Sequence, residues 1–310
     1  MKEENIRKVV RERYGKIAKE QSSCCGPSVS CCCGGDTISI ISKNIGYSDD
    51  ELNAVPEGAN LGLGCGNPIA LASLVPGEIV VDLGSGAGFD CFLAAQKVGP
   101  TGRVIGVDMT PDMIETARAN ARKGNYTNVE FRLGEIEHLP VADNFANIII
   151  SNCVINLSPD KAQVFREAYR VLKPGGRLMI SDIVLLAELP GPIRESIDAY
   201  TGCLAGALLK EDYLGKISAA GFQQVEVADE TIFPLDLLVS EPEPSVLAAW
   251  QEMTPQQQQQ LAQSIHSIKV SARKLYRKLV ILALGQICNL ACRTGWQPVL
   301  QRNSQQKHDS

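Results

Sequence analysis

The chain has 310 residues, of which 45% are apolar and 21% charged, and its formal net charge is −5. These values are ordinary for a soluble globular protein, and the acidic balance argues against nucleic acid or an anionic membrane as partner. The charged first 20 residues lack the apolar core of a signal peptide, and no apolar run is long enough to span a bilayer. We therefore expect a cytoplasmic protein whose eleven cysteines remain thiols.

The first 35 residues combine a predicted amphipathic helix, over residues 1–20, with a cysteine-rich loop. The loop contains Cys24, Cys25, Cys31, Cys32 and Cys33 among Gly, Ser and Pro. No histidine lies nearby, and adjacent cysteines do not match the separated C-x-x-C pairs of a zinc ribbon. Two interpretations stay open, a loop that captures soft ions and a dispensable tail.

A second helix and a rigid turn follow before the central region. Ser48 and Glu51 form a predicted capping box that starts the helix. Cys65 is flanked by glycines in the segment 61–68, LGLGCGNP, which closes in Asn-Pro. This pattern predicts a tight turn with an uncovered thiol, although a small apolar residue in a turn is the simpler alternative.

Residues 79–91, IVVDLGSGAGFDC, are the segment around which the chain is organised. A short apolar strand ends in Asp82 and is followed by a G-x-G-x-G loop and a helical pattern over 89–98. The next strand, 103–107, leads into Asp108, an acidic residue of the kind that accepts hydrogen bonds from a ribose diol. The loop is shorter than the G-x-G-x-x-G that seats a pyrophosphate. It suits a nucleoside without phosphates, above all S-adenosylmethionine (SAM), whereas a purely structural glycine turn is the alternative.

Strands and helices alternate through the rest of the central region, which predicts a Rossmann-like, mostly parallel α/β sheet with helices on both faces. Ligands of such sheets bind beyond the carboxyl ends of the strands. The predicted strands are 129–133, 148–153 and 177–184, and the predicted helices are 113–122 and 161–172. We therefore expect one crevice to be faced by Asp82, Asp108, Glu135, Asn152 and Cys153.

A smaller α+β part is predicted after Pro190. It contains a helix over 193–209 interrupted at Cys203, a helix over 210–220, a strand over 223–228 and a helical segment over 241–263. A strand over 267–272 is expected to close the sheet as an antiparallel edge. The predicted domains are 1–72 (helix, cysteine loop and Cys65 segment), 73–185 (SAM binding), 186–275 (C-terminal region) and 276–310 (an appended or disordered tail).

The chemistry of the crevice points to sulfur. Residues 151–157, SNCVINL, lack the Asn/Asp-Pro-Pro-aromatic turn of many N-methyltransferases, and no histidine stands near the strand ends to act as a base. The glycine-associated or strand-end thiols are Cys65, Cys153 and Cys203. Thiolates bind soft ions, and trivalent arsenic on three sulfurs keeps a lone pair that attacks a methyl group without losing a proton.

In the tail, Cys288 and Cys292 suggest either a metal clip or a poorly packed appendage.

Four segments together resemble the arsenite methyltransferases, particularly the bacterial branch: residues 63–68 (LGCGNP), 82–86 (DLGSG), 151–157 (SNCVINL) and 201–207 (TGCLAGA). The similarity extends over about residues 1–273. It implies that Cys65, Cys153 and Cys203 hold As(III), with one of Cys31, Cys32 or Cys33 as a further thiol. It also implies that SAM is contacted by Asp82, Gly84, Ser85, Gly86, Asp108, Met109, Glu135, Ile136 and Asn152.

The resemblance implies a SAM-dependent enzyme that methylates arsenite or its thiol conjugates, with glutathione or thioredoxin as reductant. We expect the enzyme to be a monomer. The chain departs from that family at Asn147, where an Asp is common, and from about Tyr276 onward. Two rival functions stay open. One is a quinone-type C- or O-methyltransferase, since residues 170–176, RVLKPGG, are shared with such enzymes. The other is a thiol-rich, non-enzymatic metalloid-binding protein.

Overall fold

A computed structural model describes residues 3–20, 37–68, 73–234 and 244–276 of the chain. Met1–Lys274 form one compact unit and Leu275–Ser310 a second. The cysteines at 24, 25, 31, 32, 33, 288 and 292 lie outside the described residues, so the predictions for both clusters stay predictions. The same holds for the predicted domain boundaries. Among the described residues no helix is long and apolar enough to cross a membrane.

Seven strands form one mixed sheet in the order β3-β2-β1-β4-β5-β7-β6. The first five strands run parallel to one another, and β7 runs antiparallel to both β5 and β6. The expected Rossmann-like, mostly parallel sheet is therefore confirmed. The strands are β1 Ile79–Leu83, β2 Arg103–Asp108, β3 Val129–Leu133, β4 Ala146–Asn152, β5 Leu172–Leu185, β6 Gln223–Ile232 and β7 Ile265–Arg273.

Helices connect and flank these strands. The described helices are α1 Glu3–Glu20, α2 Thr37–Asn44, α3 Asp49–Asn53, α4 Phe89–Val98, α5 Pro111–Lys123, α6 Lys161–Val171, α7 Gly191–Glu195, α8 Ile197–Thr201, α9 Lys210–Ala219, α10 Pro244–Glu252 and α11 Pro255–Gln263, with a single 3-10 turn at Ile155–Leu157. The predicted capping box of α3 is present, since the Ser48 hydroxyl accepts from the Glu51 N–H and the Glu51 carboxylate accepts from the Ser48 N–H. The predicted start signal of α3 therefore acts where the sequence places it.

Alternate residues of the central strands point to two separate cores. Val81 of β1 packs with Phe165 of α6 and Tyr213 of α9 on one face. Val80, its neighbour, packs with Phe92 of α4 on the other face. This follows from the period of two in a strand. Helices on both faces bury most of β1 and β4 at the centre of the sheet, which explains their continuous apolar runs.

Two of the expectations for the C-terminal part were wrong. β7 is not an edge strand, because β6 pairs on its outer side. The alternating pattern of a strand shows which face is buried but not which neighbours it has. The single helix expected over 193–209 is instead two five-residue helices, α7 and α8, followed by turns. Gly206 in those turns lies so close to the Asn156 carbonyl that a Cβ would stand 2.2 Å from that oxygen.

Phe165 provides a test of the packing of α6 on the sheet. Its ring is fully buried and meets the Tyr213 ring edge-on at 5.5 Å between centroids. Phe165→Ala should lower the free energy of unfolding by about 3–5 kcal/mol, measured by urea denaturation, because it removes a buried ring and leaves a cavity. Leu247→Ala is the control, since Leu247 is 45% exposed on a helix. It should change the free energy of unfolding by less than about 1 kcal/mol. A small effect of both variants would show that α6 does not pack as described.

Candidate active site

The glycine loop between β1 and α4 follows the backbone path that its sequence predicts. Gly84, Gly86 and Gly88 all have positive φ, at 67°, 52° and 97°. A Cβ on Gly84 would stand 2.3 Å from Val154 Cγ2, so a side chain there would collide with the loop after β4. Glycine alone adopts a positive φ without strain and also leaves room for Val154. The loop therefore lets its backbone come close to neighbouring groups and is not a chance cluster of glycines.

One cavity opens above the carboxyl ends of β1, β2 and β4. It is lined by eight of the nine residues predicted to contact SAM: Asp82, Gly84, Ser85, Gly86, Asp108, Met109, Ile136 and Asn152. Glu135 is the exception, since its carboxylate pairs with Arg7 and Arg11 of α1 at 3.5 Å each. The assignment of Glu135 to the cofactor stays a prediction. α1 itself borders the cavity through residues such as Arg7 and Tyr14, which the sequence did not indicate.

Asp108 is half-buried at the end of β2, and its carboxylate is held by the backbone. Its oxygens accept the N–H groups of Gly86 at 3.0 Å and Thr110 at 2.8 Å. Burial raises its pKa, and the two hydrogen bonds oppose that rise. A fixed carboxylate here fits a ribose diol. Ser85 adds a buried hydroxyl that, within the described part of the chain, has no hydrogen-bond partner. Both observations fit a nucleoside ligand such as SAM.

Two further carboxylates make the inner wall of the cavity acidic. Asp82 accepts a hydrogen bond from the Cys91 thiol at 3.2 Å, and burial followed by the Asp90 charge raises its pKa well above the usual value. Asp90 accepts from the Tyr47 hydroxyl at 2.7 Å, and burial raises its pKa to about 6. Tyr47 and Asp90 were missed by sequence reasoning. Asp90 in the first turn of the helix after the glycine loop was a usable signal, whereas Tyr47 had none.

The segment with Cys65 packs against the ends of β4, β5 and β7. The Cys65 N–H donates to Asn152 Oδ1 at 3.1 Å, and its carbonyl accepts from the Ser267 hydroxyl at 2.6 Å. A Cβ on Gly66 would stand 2.0 Å from Ser181 Oγ, and one on Gly64 would stand 2.8 Å from Asn152 Nδ2. The two glycines therefore permit the close approach that buries Cys65 beside the strand ends.

Cys153 and Cys203 lie on strained backbone. Their φ values are +55° and +67°, a left-handed conformation that non-glycine residues rarely adopt. The Cys203 thiol donates to the Cys153 carbonyl at 2.8 Å. Cys153 is half-buried and, with Cys203, lines the same cavity as the glycine loop. Such strain persists where surrounding structure enforces it and is typical of functional sites.

The three predicted thiols meet in one cluster. The pKa of Cys153 is raised well above its usual value, first by its hydrogen bonds with Cys203 and Cys65 and then by burial. Burial is the main cause of the raised pKa of Cys65. The four described cysteines, these three and Cys91, are free thiols. At neutral pH Cys65 and Cys153 therefore keep their thiol protons.

Two buried ionisable residues, Asp182 and Lys161, lie near the thiols. The Asp182 carboxylate near the end of β5 accepts from the Asn156 amide and the Tyr213 hydroxyl, each at 2.9 Å. Burial raises its pKa to about 7, and burial lowers the pKa of the neighbouring Lys161 to about 8. Sequence reasoning missed Asp182, although it follows the same strand-end rule as Asp82 and Asp108.

Comparison with known proteins agrees with this geometry. A methyltransferase-domain family model matches residues 74–221. An arsenite methyltransferase of Halobacterium salinarum is 54% identical over 73% of this chain and 59% of its own length, and one of Aquipseudomonas alcaligenes is 39% identical over 71% and 63%. The chain thus spans about 60% of the length of these curated relatives. The solved structure of an arsenic(III) SAM methyltransferase from Chlamydomonas reinhardtii is 32% identical, with a TM-score of 0.58, over 79% of this chain and 76% of that one.

Gly84 gives a test of the cofactor cradle. Gly84→Ala should weaken SAM binding at least about tenfold, equal to 1.4 kcal/mol, because the added Cβ collides with Val154. Equilibrium dialysis with labelled SAM measures this. Gly58→Ala is the control, since Gly58 has a φ of +90° but a Cβ there would meet Asn120 Oδ1 at an ordinary 3.5 Å. Equal SAM affinity in the two variants would refute the role given to the Gly84 contact.

Asp90 gives a test of the acidic wall. Because its folded pKa of about 6 exceeds the ordinary value of 3.8, the folded chain holds this proton longer than the unfolded chain. Ionisation of Asp90 therefore lowers the free energy of unfolding progressively as pH rises from about 4 to about 6, and this destabilisation is complete above about pH 6. In Asp90→Asn, the free energy of unfolding should fall less between pH 4 and pH 7 than in the unaltered chain. Asp50→Asn, at an exposed residue, is the control. If the free energy of unfolding varies with pH in the same way in both variants, the raised pKa of Asp90 is contradicted.

The glycine cradle, the three thiols and the sequence similarity agree, and the chain belongs to the arsenite methyltransferase family, with a class I SAM-dependent methyltransferase fold.

Proposed function

We propose that this chain transfers methyl groups from SAM to trivalent arsenic held by Cys65, Cys153 and Cys203. The observation that carries the proposal is the meeting of three thiols from separate segments beside the glycine-loop cavity. A thiol cluster without a cofactor cavity would favour storage of a metalloid. A cofactor cavity without thiols would favour a carbon or oxygen acceptor. The combination supports methylation of a thiophilic acceptor.

The raised pKa values of Cys65 and Cys153 suit arsenite as the substrate. Arsenite at neutral pH is the uncharged As(OH)₃, and exchange with three thiols gives three As–S bonds and three waters. Each thiol proton leaves with one hydroxide, so no free thiolate and no separate base is required. The raised pKa values of Cys65 and Cys153 are therefore compatible with the exchange.

The chain's residues then orient the reaction. SAM supplies an electrophilic methyl group on a sulfonium. Cys153 and Cys203 line the cavity that also contains Gly84 and Asp82, so arsenic bound there shares one enclosed space with the cofactor. The arsenic lone pair forms the As–C bond while the C–S bond breaks and its electron pair stays on the leaving sulfur. Proximity and orientation supply much of the rate.

A reductant completes the cycle in this proposal. Methyl transfer raises arsenic formally to As(V), and two thiolates return two electrons to it while they join as a disulfide. Glutathione or thioredoxin reduces that disulfide, and arsenite or its thiol conjugate is the substrate. The predicted monomeric state and cytoplasmic location belong to the same proposal.

The test is to incubate the purified chain with arsenite, SAM and a thiol reductant, and to separate arsenic species by chromatography with elemental detection. Methylated arsenic is expected from the unaltered chain. Cys153→Ser should abolish it and leave the dissociation constant for SAM within about twofold, since it removes an arsenic ligand and not the cofactor cradle. Cys288→Ser, outside the described residues, is the control and should methylate normally.

The rival functions predict other results. Methylation of a quinone-type acceptor by a variant lacking all three thiols would favour a C- or O-methyltransferase. Bound arsenic without any methylated product, in the presence of bound SAM, would favour a metalloid-binding protein. Loss of SAM binding in Cys153→Ser would overturn the ligand role given to this residue.

A further inference from the structure

Two of the clustered thiols share their surroundings with a carboxylate. The Sγ atoms of Cys65 and Cys153 and a carboxylate oxygen of Asp182 all lie within 4.8 Å of one another. Cys65 comes from the loop before β1, Cys153 follows β4, and Asp182 is in β5. Three donors from three segments therefore converge on one point.

The Asp182 carboxylate is held in place. Its residue is fully buried. Oδ1 accepts from the Ile183 N–H and the Asn156 amide, each at 2.9 Å, while Oδ2 accepts only the Tyr213 hydroxyl among the described groups. Because a carboxylate oxygen has two lone pairs, Oδ2 keeps one for a further partner. Its hydrogen-bond partners act as the outer groups that orient a metal ligand.

Two sulfurs and one oxygen form a different donor set from the one proposed for arsenic. Trivalent arsenic takes three sulfurs, whereas zinc-group divalent cations accept mixed sulfur and oxygen ligands. A tetrahedral Zn²⁺, with Zn–S of about 2.3 Å and Zn–O of about 2.0–2.2 Å, holds its ligand atoms about 3.5–3.8 Å apart. The donors here are within 4.8 Å, so side-chain movements of about 1 Å close the site.

The site also has an entry path and a free coordination position. Cys153 is half-buried and lines the cofactor cavity, so an ion reaches it from that side. Three protein ligands with a fourth position open to water is the arrangement of an accessible metal site.

We propose that Cys65, Cys153 and Asp182 bind one thiophilic divalent cation, Zn²⁺ or Cd²⁺, and that Cys203 is not required for it. Cation binding stands independently of the reaction on arsenic. Its consequence, competition with arsenite for Cys65 and Cys153, rests on the proposed function. The carboxylate thus determines which class of soft ion the shared thiols accept.

The experiment uses the full chain with its seven cysteines outside the described residues replaced by serine, so that they bind no metal. Cd²⁺ is the probe, measured by equilibrium dialysis and by the ultraviolet charge-transfer absorption of cadmium thiolates. One bound Cd²⁺ per chain is expected, with sulfur-to-cadmium absorption. Absence of binding would overturn the proposal.

Two variants on this background separate the donor sets. Asp182→Asn, which keeps the size of the side chain, should weaken Cd²⁺ binding at least tenfold while arsenite still binds. Cys203→Ser should leave the Cd²⁺ affinity within threefold while arsenite binding is lost. The reverse pattern would show that the three thiols bind both ions and that Asp182 is not a ligand.

Two controls keep the result decisive. Cys65→Ser should lose both ions, and retention of Cd²⁺ by this variant would overturn the proposal. SAM dialysis on each variant reports an intact fold. If arsenite is not methylated but Cd²⁺ binding follows the expected pattern, the proposed function fails and the cation site stands.

Discussion

The side-chain amide of Asn152 holds the cofactor cavity and the thiol cluster together. Its Nδ2 donates to the Tyr47 hydroxyl at 2.9 Å, to the Gly66 carbonyl at 2.8 Å and to the Asp90 carboxylate at 3.2 Å, while its oxygen accepts the Cys65 N–H. An amide is suited to this position because it donates and accepts at once. The end of β4, the first turn of α4 and the Cys65 loop are thereby held in one arrangement.

The electrostatics of the site follow from burial. Asp82, Asp90 and Asp108 lie on the cavity wall and are buried to different degrees among apolar strand ends, which raises the pKa of each. A wall of this kind disfavours additional anions and suits a ligand that carries a positive sulfonium. Cys153, whose raised pKa keeps its thiol protonated, lines the same cavity. In the proposed transfer, the sulfonium of SAM therefore meets an acidic surface, whereas arsenic meets a neutral surface of soft thiols.

The sequence predicted the parallel half of the sheet well, because buried strands read as short apolar runs closed by glycine or acid, as in β1 with Asp82. Cys65 and Cys153 were found from flanking glycines and from the strand-end rule. Asp182 was missed although it lies near the end of β5, and Tyr47 was missed because its role depends on a partner far away in the chain. The position of β7 inside the sheet depends likewise on long-range pairing, which local alternation does not encode.

The left-handed backbone at Cys153 and Cys203 has an evolutionary consequence. A residue with a Cβ in this conformation costs about 1–2 kcal/mol, a cost that glycine does not incur. Each position is therefore under two opposed pressures, the fold favouring glycine and the proposed arsenic chemistry requiring sulfur. In a duplicated copy released from selection on arsenic, these two codons should drift toward glycine sooner than Cys65, whose backbone carries no such strain. Glycine at either position would mark a descendant that has kept the fold and abandoned the thiol site.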